Sequence, residues 1–205
     1  MARPLRIQYP GALCHVTCRG NEQKDIYQDD ADRRRFLQLL SQSLPIYTVK
    51  LYSYILMANH FHLLLETLLV NLAEFMRHFN ITYTSDYNRR HQRVGHLHQD
   101  RYQSLLVEKD SYLSVLSRYL HLNPVRIKTL ERAPPKEKIR HLLQYPWSSL
   151  PGYLSQRKEH WSSASTAETG VSTRKTFYPR SGRGERSKSE SSARVSWVGK
   201  HSLPG

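Results

Sequence analysis

The chain has 205 residues, enough for one domain and rarely for two. Lys and Arg outnumber Asp and Glu by 31 to 17, and the resulting charge of +14 favours a polyanionic partner, with nucleic acid ahead of an anionic membrane surface. No apolar run approaches the roughly 20 residues of a membrane span, and the N-terminal residues lack the apolar stretch of a signal peptide. Two cysteines are too few for a disulfide framework. We therefore expect a soluble, intracellular protein without a membrane partner.

Predicted strands and helices alternate along the first 155 residues. In chain order they are a strand over 12–19 closed by a Gly20-Asn21 turn, a helix over 30–44 ended by Pro45, strands over 47–57 and 60–66, a helix over 71–89, a basic loop over 89–101, a strand over 102–108, and a helix from an N-cap at Asp110 to about Leu122, stopped by Pro124. This order predicts an α+β fold, a ferredoxin-like split βαβ antiparallel sheet with helices on one face and an extra C-terminal helix.

The composition changes near residue 155. Residues 156–205 are rich in Ser, Arg and Gly and hold few apolar side chains. Such a stretch cannot bury enough apolar surface to offset the entropy of ordering, so we predict a folded domain over 1–155 and a disordered basic tail over 156–205. The tail is either a solvated extension or an arm that adds non-specific affinity for DNA.

Two histidines flank Phe61 at the start of an apolar strand. Side chains alternate along a strand, so His60 and His62 project from one face while Phe61 enters the core and holds the strand still. Two imidazoles at this spacing can converge on one cation, and paired histidines on a strand are also common as polar surface.

A second pair, His96 and His98, repeats the same spacing. It follows a run of basic residues in a segment without a strand pattern. Ligands on such a loop are poorly preorganised, and a basic turn of this kind is typical of phosphate contacts. The first pair is therefore the preferred metal candidate.

The third helix adds two polar side chains to this candidate site. Leu113, Leu116 and Leu120 form a stripe that should face the sheet, and Tyr119 and Asn123, four residues apart, lie at its border one turn from each other. An Asn carbonyl oxygen suits magnesium or manganese, and a tyrosine hydroxyl near a phosphate on the same metal is a candidate nucleophile. The chain has 13 tyrosines, however, and one can fall at a helix border by chance.

These residues resemble the REP-associated tyrosine transposases, which belong to the HUH superfamily of single-tyrosine transposases. The resemblance covers about residues 1–153 through several motifs in order. They are Arg3-Pro4-Leu5-Arg6, His15-Val16-Thr17, Arg19-Gly20-Asn21, His60-Phe61-His62 with the following Leu-Leu-Leu-Glu, Asn88-Arg89-Arg90-His91, Leu106 to Asp110, Tyr119 to Arg126, and Tyr145-Pro146-Trp147-Ser148-Ser149.

The resemblance implies a bacterial, cytoplasmic, nucleoid-associated enzyme of DNA transposition. It implies a divalent metal, Mg²⁺ or Mn²⁺, held by His60, His62 and Asn123, with Tyr119 as the nucleophile that forms a 5′-phosphotyrosine. The implied substrates are single DNA strands with imperfect hairpins, and related enzymes work as monomers or homodimers. The chain departs from the family pattern at Asp100, where glycine is usual, and an added negative charge there is expected to weaken DNA binding.

Candidate DNA contacts flank the presumed centre or line the loops beside it, and a stacking role for an aromatic ring is included among them. They are Arg19, Arg89, Arg90, Arg93, Arg101, Tyr102, Arg118 and Arg126. Each of these arginines is equally compatible with a solvated surface charge. Cys14 and Cys18 share a strand face and are interpreted as buried apolar side chains.

Three other functions remain open. The same fold serves replication or conjugation initiators that nick DNA, although these need domains that this short chain lacks. A domesticated protein would bind nucleic acid without turnover. A metal hydrolase of small phosphoesters would act without a covalent DNA adduct.

Overall fold

The computed structural model describes residues 7–107 and 113–155, without the side chains of residues 128 and 155. The elements in these ranges are β1 (Ala12–Arg19), α1 (Asp30–Ile46), β2 (Val49–Leu56), β3 (His60–Thr67), α2 (Leu72–Arg90), β4 (Gln103–Leu106), α3 (Leu113–His121), α4 (Lys128–Glu131), α5 (Pro135–Gln144) and α6 (Leu150–Ser155). Single 3-10 turns cover Asn21–Gln23 and Asn123–Val125. The predicted N-cap Asp110 and the predicted tail over 156–205 lie outside the described residues, as do the first motif of the resemblance and most of Leu106 to Asp110.

The four strands form one sheet in the order β2-β3-β1-β4, and every neighbouring pair is antiparallel. This is the strand order of a ferredoxin-like split βαβ unit, so the predicted α+β fold with an antiparallel sheet is confirmed. The sequence analysis did not predict α4, α5 and α6. All three are short, and α5 buries no residue although Ile139, Leu142 and Leu143 follow a helical period.

The predicted bounds differ from the observed ones by a few residues. The first helix was predicted to stop at Pro45, but α1 includes Pro45 in its last turn and ends at Ile46, because a proline at this end removes only its own N–H from the ladder. The strand predicted over 102–108 is shorter, Gln103–Leu106. None of the helices in the described ranges has the length and apolar content needed to cross a bilayer.

The main core lies between one face of the sheet and the helices α1 and α2. Phe61 of β3 is fully buried there, and its ring centroid lies 4.9 Å from that of Phe36 on α1. Phe79 of α2 meets Phe36 edge-on at 4.8 Å. Cys14 and Cys18 of β1 are free, buried thiols on this face, as predicted. The core thus uses one set of alternating strand residues and leaves the other set for the opposite face.

Helix α3 covers the opposite face of the sheet. Leu120 is fully buried against Leu13 of β1 and Leu64 of β3, and Leu113 and Leu116 pack against the same cluster. The predicted leucine stripe is therefore confirmed. The sheet consequently has two covered faces, with α1 and α2 on one side and α3 on the other.

A buried carboxylate joins the start of α1 to the end of α2. Asp32 accepts a hydrogen bond from the backbone N–H of Gln28 at 2.8 Å, contacts His91 Nε2 at 2.9 Å, and forms an ion pair with Arg90. Arg90 also bonds to Asp29, the N-cap residue of α1. Because the Asp32 carboxylate is almost fully buried, its charge depends on these partners.

We expect Asp32→Ala to lower the free energy of unfolding by about 2 to 4 kcal/mol, because breaking a buried pair leaves its partners unsatisfied. Chemical denaturation measures this change. Asp30→Ala is the matched control, since Asp30 pairs with Arg33 at the surface, and it should cost less than about 1 kcal/mol. Equal losses in the two variants would contradict the assigned role of Asp32.

His98 packs on the face of the sheet that α1 and α2 cover. Its ring centroid lies 6.2 Å from that of Phe61, and Nδ1 is 3.5 Å from the hydroxyl of Thr84 on α2. Burial lowers the pKa of His98 from 6.5 to about 4. The imidazole is therefore neutral in the folded protein at neutral pH.

Because His98 is buried as a neutral imidazole, the free energy of unfolding decreases as the pH falls. Between pH 6.5 and pH 4 the unfolded chain takes up a proton at His98 that the folded chain does not, so the free energy of unfolding decreases as the pH falls. We expect His98→Phe to reduce that decrease by about 2 kcal/mol between pH 7 and pH 4.5. Urea titrations over this pH range measure the difference. The control is His96→Gln, a change at an exposed histidine, which should show the same dependence of the free energy of unfolding on pH as the wild type.

Candidate active site

The second face of the sheet carries a polar cluster where β3 begins. In the antiparallel pairing of β1 with β3, Arg19 lies opposite His60 and Thr17 lies opposite His62. The rings of His60 and His62 meet edge-on with centroids 5.0 Å apart, on the face opposite Phe61. The prediction that the two histidines share one face is confirmed.

A third histidine and a threonine join this pair. Nδ1 of His62 lies 2.8 Å from the hydroxyl of Thr17 and 3.0 Å from Nε2 of His15. The rings of His15 and His62 are stacked, with centroids 5.2 Å apart. The sequence analysis did not assign His15 or Thr17 to the site. The alternation of β1 carries the signal, since His15, Thr17 and Arg19 occupy one face and Cys14 and its even-numbered neighbours the other.

The other histidine is held from the turn before β3. Nδ1 of His60 lies 2.7 Å from Oδ1 of Asn59, and Nδ2 of Asn59 donates to the carbonyl of Gln23. The backbone N–H of Gly20 donates to the carbonyl of Asn59 at 2.8 Å. A Cβ at Gly20 would lie 2.1 Å from the carbonyl oxygen of Lys24, so only glycine fits this close approach. The turn therefore fixes Asn59, and Asn59 fixes the His60 ring.

The histidines of this cluster are neutral at neutral pH. Burial lowers the pKa of His62 to about 3, with smaller contributions from His15, His60 and Arg19. Burial also lowers the pKa of His15 to about 4, and burial followed by the charge of Arg19 lowers the pKa of His60. Neutral imidazoles keep a lone pair, which metal coordination requires.

The second histidine pair is not part of this cluster. His98 packs against Phe61 on the face of the sheet that α1 and α2 cover, and His96 is exposed in the loop before β4. The sheet therefore lies between His98 and the His60–His62 pair. Within residues 7–107 and 113–155, no group of three or more His, Cys, Asp or Glu side chains is arranged to hold a metal by itself.

The candidate nucleophile lies on α3. Tyr119 is 46% exposed, and the guanidinium of Arg126 stacks over its ring at 4.1 Å. The end of α3 is tied to the sheet, because Nε2 of His121 lies 2.9 Å from the hydroxyl of Ser149, and that hydroxyl contacts the backbone of Tyr54 on β2. The contact between His121 and Ser149 was not predicted from the sequence.

Asn123 does not lie on the helix that carries Tyr119. Both residues were predicted to lie on one helix, but α3 ends at His121, and Asn123 begins a 3-10 turn with Pro124. The reason is that proline supplies no N–H to continue the α-helical ladder. Nδ2 of Asn123 donates to the carbonyl of Leu120 at 2.8 Å, so its Oδ1 remains the atom suited to a cation.

The chemistry of these donors fits a small divalent metal. His60 and His62 each use Nδ1 for a contact within the protein, which leaves Nε2 of both rings for a cation. The amide oxygen of Asn123 is a hard donor of the kind that such an ion takes. His60, His62 and Asn123 would hold such an ion, which would supply Lewis-acid chemistry at a phosphate.

The predicted DNA contacts differ in their surroundings. Arg19 and Arg101 are exposed and line one cleft, together with Thr17 and Asp100. Arg118 is exposed on α3, next to Tyr119.

The remaining arginines have partners within the fold. Arg90 pairs with Asp29 and Asp32, and Arg89 pairs with Asp86 while remaining largely exposed. Arg93 stacks over the Tyr87 ring at 5.6 Å. A phosphate would therefore have to compete with a carboxylate for Arg90.

Tyr102, which was predicted to stack on an unpaired base, lies in the interior of the protein. It is only 5% exposed and belongs to the main core. Its ring therefore offers no open face to an unpaired base. The residue before β4 points to the face of the sheet that α1 and α2 cover.

The comparisons with known proteins agree with this architecture. The family model "Transposase IS200 like" matches residues 9–123, more than half of the chain. The solved structure of a REP-associated tyrosine transposase bound to a REP hairpin matches with a TM-score of 0.59 and 11% identity, covering 92% of this chain and 100% of that chain, and a likeness at this identity shows the fold. No curated protein matches. Since this match spans more than half of the chain, the chain belongs to the IS200-like transposase family.

Proposed function

We propose that the protein cuts and rejoins single-stranded DNA that carries imperfect hairpins, through a 5′-phosphotyrosine at Tyr119. One observation carries the proposal. Helix α3, which bears Tyr119, packs through Leu120 on the same sheet face that presents His60 and His62. A nucleophile on that helix and a metal on that strand face would act on a common phosphate.

His60 and His62 would hold a Mg²⁺ or Mn²⁺ ion through Nε2, with Oδ1 of Asn123 as a third ligand. The contacts of both Nδ1 atoms and the use of Nδ2 of Asn123 within the protein support this set. When bound, the ion would polarise the phosphoryl oxygen and orient the phosphate for in-line attack.

In the proposed reaction, Oη of Tyr119 forms a bond to the phosphorus of a DNA phosphodiester. The bond from phosphorus to the 3′-oxygen breaks, and the proton lost by the phenol is balanced by the one gained at the 3′-hydroxyl. A phenol with an ordinary pKa of about 10 needs the phosphate charge to be neutralised before it can attack. The exposure of Tyr119 and the cation stacked on its ring support access of an anionic substrate. Since the phosphotyrosine conserves the bond energy, another 3′-hydroxyl can reverse the step and transfer the strand.

The DNA would be held mainly by charge. Arg19 and Arg101 line the cleft beside Thr17, and Arg118 and Arg126 flank Tyr119 in sequence or space. Guanidinium groups there suit phosphate oxygens, and binding should weaken as salt rises. The hairpin bound by the structurally similar transposase supports a hairpin substrate here.

The remaining expectations belong to the same proposal. Residues 1–155 form the transposase domain, and 156–205 form a basic tail. The protein acts in the bacterial cytoplasm at the nucleoid, where single-stranded DNA is available. The charge of +14 supports association with nucleic acid.

Tyr119→Phe should abolish the covalent adduct, because it removes the attacking oxygen and leaves the ring. The measurement is denaturing gel electrophoresis after incubation with a labelled hairpin strand and Mn²⁺. Tyr153→Phe is the control, since Tyr153 is a comparably exposed tyrosine on α6, and it should retain the adduct. An adduct in Tyr119→Phe would refute the mechanism, and hairpin binding without any adduct in the wild type would favour a non-catalytic binding protein.

His62→Ala should lower strand cleavage at least 100-fold and weaken Mn²⁺ binding, because it removes one of two imidazole ligands. His96→Ala should leave both quantities unchanged, since His96 is exposed in the loop before β4. Isothermal titration with Mn²⁺ and single-turnover cleavage measure the two effects. A loss of metal binding in His96→Ala instead would move the metal site to the second histidine pair.

A further inference from the structure

We propose that His15 and Thr17 are positioning residues that set the tautomer and ring orientation of His62. The inference rests on the proposed function, because it concerns the metal ligand of that site. Both residues lie on β1, and neither is a proposed ligand. The effect would reach the metal only through the His62 ring.

One nitrogen of His62 and one polar atom each of Thr17 and His15 lie within hydrogen-bonding distance of one another. Nδ1 of His62 lies 2.8 Å from Oγ1 of Thr17 and 3.0 Å from Nε2 of His15, and these last two atoms lie 3.4 Å apart. The set is partly buried, so its members satisfy one another.

Two proton arrangements satisfy these contacts, and they differ in which nitrogen of His62 carries the proton. If His62 carries its proton on Nδ1, that proton is donated to Thr17, and the Thr17 hydroxyl donates in turn to Nε2 of His15. Every hydrogen then has its own acceptor. In the reverse arrangement, Nε2–H of His15 is donated to Oγ1 of Thr17, and the Thr17 hydroxyl donates to Nδ1 of His62, which puts the proton of the neutral His62 ring on Nε2. Only the first arrangement leaves Nε2 of His62 with the lone pair that a cation needs, so it is the one that the proposed metal site requires.

The backbone holds this set in register. Thr17 is the cross-strand partner of His62, and His15 is the partner of Leu64, two residues further along β3. On its other side, β1 pairs with β4, where His15 faces Leu105. The His15 ring stacks on the His62 ring with 23° between their planes. A ring held on one side by stacking and at Nδ1 by hydrogen bonds cannot turn its Nε2 away without breaking both.

Asn59 has the equivalent contact at the other histidine. Its Oδ1 accepts from Nδ1 of His60, while its Nδ2 is occupied by the Gln23 carbonyl, so the amide orientation is fixed. Both rings of the pair are therefore held through Nδ1 by neighbouring side chains. This common arrangement is expected when both Nε2 atoms serve one ion.

The test uses the full chain with ¹⁵N-labelled histidine. Long-range ¹H–¹⁵N spectra of the metal-free wild type should show His62 protonated on Nδ1 and His15 unprotonated on Nε2. The double variant His15→Phe/Thr17→Val removes both partners, so His62 should lose its fixed Nδ1–H form. Calorimetric titration should then show Mg²⁺ affinity lowered about 10-fold or more.

Two further variants separate positioning from a general loss of structure. Thr17→Ser keeps the hydroxyl and should retain both the tautomer and the Mg²⁺ affinity of the wild type. Thr82→Val removes a comparable threonine hydroxyl on α2, which bonds to the carbonyl of His78, and should change neither. Thermal unfolding of each variant verifies that it is folded under the conditions used.

An unchanged His62 tautomer and Mg²⁺ affinity in a folded double variant would overturn the inference. So would a ¹⁵N shift of His15 Nε2 on adding Mg²⁺, combined with a loss of binding as complete as in His62→Ala, because His15 would then be a ligand. If the wild type binds no Mg²⁺, the proposed metal centre fails. The tautomer comparison between wild type and double variant still decides the role of His15 and Thr17 in that case.

Discussion

The antiparallel pairing of β1 with β3 is the constraint on which the candidate site depends. It sets Arg19 opposite His60 and Thr17 opposite His62, and it fixes which side chains of both strands share a face. A slip of one residue would carry the histidines into the core between the sheet and its two long helices, and would bring Phe61 to the other face. The buried aromatic contacts of Phe61 oppose such a slip.

One face of the sheet forms the main apolar core, and the other carries the polar residues of the candidate site. The core against α1 and α2 is almost wholly apolar and is closed at one end by the buried Asp32 cluster. The opposite face buries imidazoles, which is unfavourable for their charged forms and lowers the pKa values of His15 and His62. Hydrogen bonds within the cluster offset the cost of removing these polar groups from water. Uncharged, fixed imidazoles are the form that a cation can use.

Helix α3 connects the proposed nucleophile to that face. Its leucines pack on the sheet, and the contact of His121 with Ser149 ties its end to β2, while Tyr119 stays accessible on the border. The helix therefore presents one side to the sheet and one side to solvent. The region that matches the IS200-like transposase family model, residues 9–123, includes Tyr119.

Local patterns in the sequence determined the order of the elements, the strand face of His60 and His62, and the leucine stripe of α3, because periods of two and 3.6 residues are properties of neighbouring residues. The sequence also held two histidine pairs of equal spacing, and only the fold separated them, by placing the sheet between His98 and the first pair. The burial of Tyr102, the ion pairs of Arg90 and the contact of His15 with His62 were likewise decided by tertiary structure. These contacts join residues far apart in the chain, 47 positions in the case of the two histidines, and no local period reports which distant side chain will become a neighbour.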